Sequence, residues 1–172
     1  MPNHFFQHTL IAFSAFTLSF QAFGATPSVT NELPASTFAQ EEQCFDVGFS
    51  NAGTTGYGPY IRLITDAKIT LNSASMFGGA LSVESLGNFS SSGTITDSLS
   101  NSEVTGPQGD ALHLIKLPVG SVVANGPMLN TSVCITLDAS ANIGEDLNVD
   151  AQPVYQYGDS PTGDTAIIGT KV

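Results

Sequence analysis

Past its opening residues the chain alternates between apolar and polar positions with a period of two. In "QCFDVGFS", residues 43–50, Phe45, Val47 and Phe49 fall on one side of an extended strand, and Cys44, Asp46, Gly48 and Ser50 fall on the other. In "TSVCITLD", residues 131–138, Val133, Ile135 and Leu137 oppose Cys134, Thr136 and Asp138 in the same way. Further runs rich in β-branched and aromatic residues cover 60–65, 67–77, 80–89, 93–99, 111–117, 146–157 and 165–172, each bounded by Gly, Asn, Ser or Pro. Helical periodicity is hard to find, so the crossover helices that a parallel sheet requires are missing from the pattern. The expected fold is all-β: antiparallel sheets packed as a β-sandwich. Residues 26–40 are rich in Ser, Thr and Pro and read as a loose N-terminal arm.

The last run, "TAIIGTKV", places one isoleucine on each side of a strand, which suits a strand covered on both faces. Residues 166–168 are therefore expected to pair within the sandwich, to lead into a following module, or to add to a neighbouring subunit.

The first residues change the picture of where the protein works. An apolar stretch from Leu10 to Phe20 is too short to span a bilayer as a helix, and it ends in Ala22-Phe23-Gly24, with small side chains at the −3 and −1 positions of a signal-peptidase site. The expected division is a signal peptide over 1–24, an arm over 25–42 and the sandwich over 43–172. A mature chain starting at Ala25 or Thr26 is secreted or held at a cell surface, without membrane insertion after the signal is removed.

Charge narrows the partners. All four basic residues, Arg62, Lys68, Lys116 and Lys171, and all fifteen acidic ones lie after the signal, giving a net charge of −11. A field of that sign repels phosphate backbones and anionic lipid, so nucleic acid and membrane surfaces are poor partners. Protein or carbohydrate at a cell surface, or copies of the chain itself, remain. The two cysteines, Cys44 and Cys134, form an even count in an exported chain and are expected to pair. Metal binding is the alternative use of two thiols, but His113 is the only histidine left and there is no C-x-x-C. Both cysteines lie on the polar side of their strands, so the bridge is expected on the outer surface of one sheet, between neighbouring strands.

"FDVGFSNAGTTGYGPYIRLITDAKITLNSASMFGG", with "LIKLPVGSVVANGPMLNTSVCITLDASANIGEDLNVDA" after it, resembles the conserved-repeat (DUF11-like) modules of bacterial surface proteins. Asn51-Ala52-Gly53, Thr65-Asp66, residues 69–75 and Leu117-Pro118-Val119-Gly120 match that pattern in order. The segment 81–107 is longer than in that class, and the cysteine pair is additional. The resemblance implies an immunoglobulin-like sandwich acting as a spacer or adhesive module, with no catalytic residues to carry over. The alternative is a subunit of a polymeric pilus or biofilm-matrix fibre; a carboxylate-based hydrolase is the third reading.

Candidate chemistry is sparse. His113, in "DALHLIKLP", is the one imidazole available for acid–base work, and no G-x-S-x-G, H-E-x-x-H or phosphate-cradling loop accompanies it, so it reads as structural. Loop carboxylates offer a calcium hypothesis: Asp138, Glu145 and Asp146 in "LDASANIGEDLNVD", with Asp159 and Asp164 in "YGDSPTGD". Tyr57, Tyr60, Tyr155 and Tyr157 read as strand-end residues finishing a core with their hydroxyls in water, the alternative being a sugar-binding platform.

Overall fold

A computed structural model of the chain describes residues 24–34 and 37–172. The signal expected over 1–24 lies outside the described residues except for Gly24. Among the described residues fourteen strands follow in order: β1 (Ala25–Asn31), β2 (Glu42–Gly53), β3 (Gly56–Tyr57), β4 (Pro59–Thr65), β5 (Ile69–Met76), β6 (Gly79–Ala80) and β7 (Val83–Asn88), then β8 (Thr94–Thr96), β9 (Glu103–Thr105), β10 (Ala111–Lys116), β11 (Ser121–Val122), β12 (Leu129–Leu137), β13 (Val149–Tyr155) and β14 (Ile167–Ile168).

The strands build an antiparallel, immunoglobulin-like β-sandwich. One sheet has the order β1-β2-β12-β5-β6 and the other β14-β13-β4-β10-β7. The alternation read from the sequence sets the inward face: Phe45, Val47, Phe49, Val133 and Ile135 are buried, and they meet Ile61, Leu63, Ile115, Ala151 and Tyr155 of the opposing sheet. Phe49 and Tyr155 pack edge to face, with ring centroids 5.4 Å apart. The polar partners in β2 and β12 face outward.

Residues 25–31 are not a loose arm. Ala25, Pro27 and Val29 alternate with Thr26, Ser28 and Thr30, and the burial follows that alternation as β1 pairs antiparallel with β2, from Ala25 opposite Gly53 to Asn31 opposite Val47. Small apolar residues and a proline mask the pattern, and an edge strand tolerates Pro27 because its missing N–H need not complete a ladder. The C-terminal run pairs within the sandwich. Ile167 lies opposite Tyr155 and Ile168 opposite Val154, and beyond them Ala151 and Val172 exchange two backbone hydrogen bonds.

The second sheet is covered on its outer face as well. All seven residues of β4 are buried, including Arg62. Between β7 and β10 the chain makes an excursion, residues 89–110, that folds back over the outside of β4 and β10 and carries the β8–β9 hairpin. Two small apolar clusters form beneath it: Ile64 and Leu112 against Phe89 and Val104, and Tyr60, Leu114 and Val154 against Leu86, Leu99 and Ala166. The long 81–107 segment that set this chain apart from the conserved-repeat class is largely this third layer.

Candidate functional site

The layer between the excursion and β4 encloses a buried ion pair. Tyr60, Arg62 and Ile64 are two residues apart and share the outer face of β4. At the centre of that face Arg62 lies opposite Leu114 of β10 and Gln152 of β13. Its Nε–H donates to Asp97 Oδ2 at 2.7 Å, with the two residues 2% and 0% exposed. Nη1 donates to Gln152 Oε1 at 3.0 Å, and Nη2 donates to Ser100 Oγ at 2.8 Å and Ser102 Oγ at 2.5 Å. Asp97 also accepts from the Tyr60 hydroxyl at 2.5 Å and from the backbone N–H of Leu99 at 2.8 Å. Gln152 passes the connection on, donating to the carbonyl of Gly169 at 3.0 Å. The network thus ties the excursion, β4, β13 and the C-terminal segment together.

The electrostatics follow from burial. Removal from water works against ionisation of Asp97, but hydrogen bonds from Tyr60, Leu99 N–H and Arg62 outweigh it and hold the carboxyl below its ordinary value. Burial first, and the hydrogen bond to Asp97 second, push the Tyr60 hydroxyl well above its usual range. Burial alone does the same to Tyr155, whose hydroxyl has no hydrogen-bond partner among the described residues.

The tyrosines therefore depart from expectation. Tyr60 and Tyr155 are fully buried on opposite faces of the second sheet, with neither hydroxyl in water, and only Tyr157 is substantially exposed, at 41%. The four form no common platform. His113 faces the inter-sheet core, 9% exposed, with Thr65 Oγ1 3.4 Å from Nε2, and burial pushes its pKa down. Thr65 is itself fully buried, so the pair offers nothing for a substrate to reach.

The proposed calcium ligands are not gathered into one site. Asp138 accepts from Ser140 N–H at 2.8 Å in a turn, while Glu145 pairs with Lys68 at 2.5 Å and accepts from Asn142 N–H at 2.8 Å. Glu145 and Asp146 border a groove of about 820 Å³ whose other walls are largely apolar, among them Ile69, Ile135 and Ile143. Asp159 and Asp164 are exposed, and Asp164 accepts from the Thr165 hydroxyl at 3.2 Å. Among the described residues no group of three or more His, Cys, Asp or Glu side chains is placed to hold a metal ion.

Cys44 and Cys134 lie directly opposite each other in β2 and β12 and are bridged, with an S–S distance of 2.00 Å. The bridge is on the outer face of the first sheet: Cys44 is exposed and Cys134 half-buried.

The buried groups predict a pH profile for stability. Tyr60 and Tyr155 stay neutral in the fold while the unfolded chain ionises near the ordinary value of 10.0, so their contribution is complete below that pH and is lost as pH rises through it. His113 resists protonation in the fold while the unfolded chain takes up a proton near 6.5, so stability falls as pH drops below that value, and Asp97 adds to the loss below its ordinary 3.8. Urea midpoints measured across the range are expected to plateau between the His and Tyr values and to fall on both sides. A midpoint that rises above pH 10.0 would contradict the burial of the two tyrosines.

Fold and site together define a β-sandwich with one buried ion pair among the described residues, Arg62–Asp97. No protein-family model matches the sequence, and no curated protein matches it. Among solved structures, two crystal structures of BcpA, the major pilin subunit of Bacillus cereus, one of them a point variant, resemble the fold at 8% identity, with TM-scores of 0.42 and 0.41. Each likeness covers 85% of this chain and 39% of that one. At that level it says nothing of what this chain binds or assembles with.

Proposed function

We propose that this chain is an exported, non-enzymatic β-sandwich module with a structural or adhesive role at a cell surface or outside the cell. The observation that carries the reading is the engagement of the Arg62–Asp97 cluster. Asp97 accepts from Tyr60, Arg62, Leu99 and Ser100, and the groups that meet Arg62 hold the excursion to the sheet rather than a reactant. The exposed disulfide suits an oxidising compartment. The likeness to conserved-repeat surface modules fits as well, since the residues that carry it do framework work. Asn51, 4% exposed, accepts from Thr26 N–H at 3.0 Å and donates to the carbonyls of Thr54 at 2.7 Å and Val122 at 2.9 Å. Gly120 accepts from Gly58 N–H at 2.9 Å.

A subunit of a pilus or matrix fibre is the other structural reading. The sheet edges bear on how copies would join. β6 and β14 are two residues long, β1 contains Pro27, and β7 meets β10 through a register shift. Short, proline-bearing and irregular edges disfavour strand addition. Copies that associate are therefore expected to meet through sheet faces or loops.

The test is attachment or assembly by the exported protein. A folded His113→Ala variant is expected to attach or assemble as the wild type does, because His113 packs in the core. A variant that stays folded and loses that property would put chemistry at His113 and overturn the reading. Sedimentation of the wild-type exported protein separates the two structural roles: a single species supports the isolated module, and a ladder of multiples supports the fibre.

A further inference from the structure

The Arg62 cluster leaves one donor over. A guanidinium carries five N–H bonds. Nε uses one on Asp97, Nη2 uses its two on Ser100 and Ser102, and Nη1 uses one on Gln152. The second hydrogen of Nη1 has no acceptor among the described residues. Arg62 is 2% exposed, and it lines an open cavity of about 310 Å³ between the β8–β9 hairpin and the C-terminal segment. The other walls divide by chemistry. Ile168, 42% exposed, supplies most of the apolar surface, with only the edges of the buried Ile64 and Val104 beside it, while Glu103, Thr105 and Lys171 supply an acceptor, a hydroxyl and an ammonium. Both cations are already neutralised, Arg62 by Asp97 and Lys171 by Asp150, whereas Glu103 has no ion pair among the described residues.

We propose that this cavity binds one uncharged pyranose residue, free or at the end of a glycan. A pyranose presents an apolar C–H face and a rim of hydroxyls that both donate and accept, and the cavity offers the complement of each. The C–H face lies over Ile168, the exposed apolar wall. A hydroxyl oxygen takes the remaining Nη1 hydrogen, and another hydroxyl donates to Glu103. The volume is at the small end of ligand sites, which suits one ring rather than a longer chain. Glu103, with the chain's overall negative charge, selects against acidic sugars. The proposal rests on reading the domain as an adhesive module and gives that module a ligand class.

The full chain, labelled for NMR, is titrated with methyl β-D-glucopyranoside, N-acetylglucosamine and sodium glucuronate. At least one uncharged probe is expected to give saturable shifts at Ile64, Val104 and Ile168, with a Kd on the order of 1–10 mM for so small a ligand. Glucuronate is expected to bind at least about tenfold more weakly, through repulsion by Glu103. Thr105→Trp, at an exposed position of β9 on the cavity wall, is expected to occupy the cavity and abolish the shifts while leaving Tm unchanged. Absence of saturable shifts at about 50 mM of every probe, equal binding of glucuronate, or wild-type shifts in Thr105→Trp would each overturn the proposal. None of these results alters attachment by the wild-type module, which is measured separately.

Discussion

Arg62→Ala is expected to destabilise the protein by about 3–5 kcal/mol, because it leaves the buried Asp97 carboxylate without its counter-charge. On a domain of this size that is roughly 10–15 °C in Tm. The loss has two parts. Asp97, fully buried, keeps its hydrogen bonds from Tyr60 and Leu99 but loses its counter-charge, and Ser100, Ser102 and Gln152 lose the donor that joins them. Thermal unfolding of the single variant is best read beside the double variant Arg62→Met/Asp97→Leu. Replacing both members of a buried pair with apolar residues of similar size is often neutral or stabilising, so the double variant is expected to recover most of the loss. A recovery of this kind identifies the pair as a structural lock. A single variant within about 1 kcal/mol of the wild type would mean that water reaches Asp97 and that the excursion does not close over the sheet.

The second large effect belongs to the disulfide. Cys44 and Cys134 are 90 residues apart in sequence, and a bridge closing a loop of that length contributes up to about 4–5 kcal/mol by restricting the unfolded chain. The bridge lies on the outer face, so its loss leaves the inner packing of Phe45, Val47, Val133 and Ile135 in place. A Cys44→Ala/Cys134→Ala variant is expected to keep its native near-ultraviolet circular dichroism and to unfold at a much lower urea concentration. A midpoint matching the oxidised wild type would show that the bridge constrains nothing the sheets do not already hold.

The two effects differ in how far the sequence announced them. The bridge and its face were legible because the period of two in "QCFDVGFS" and "TSVCITLD" is strong, and it puts each cysteine opposite large apolar neighbours. The core followed from the same alternation. β1 went unrecognised because its inward residues are Ala25, Pro27 and Val29, of which only valine signals a strand. The Arg62–Asp97 pair was not legible. One signal was present: a lone arginine inside "PYIRLIT", a run otherwise suited to burial on both faces, demands a buried partner. Its partner lies 35 residues away in a Ser-rich segment that looks like a loop, and it is brought over the sheet only by the fold of the excursion. Tyr60 departs from expectation for the same reason, whereas Tyr155 is buried between the sheets. Without that third layer Tyr60 would face water, and with it the hydroxyl meets Asp97.

The signal reading and the fold meet at one bond. Ala25 is the first residue of β1 and is buried, while Gly24 lies outside the strand and its carbonyl accepts from Thr54 N–H and the Thr26 hydroxyl. Cleavage after Gly24 would keep the whole edge strand and release everything before it. The most direct test of the exported module is therefore the intact mass of the native protein recovered from outside the cytoplasm without reductant. The expected mass starts at Ala25 or Thr26 and is lower than that of the reduced form by the two hydrogens lost on bridging Cys44 to Cys134. A mass that retains Met1, or one that shows two free thiols, would contradict it.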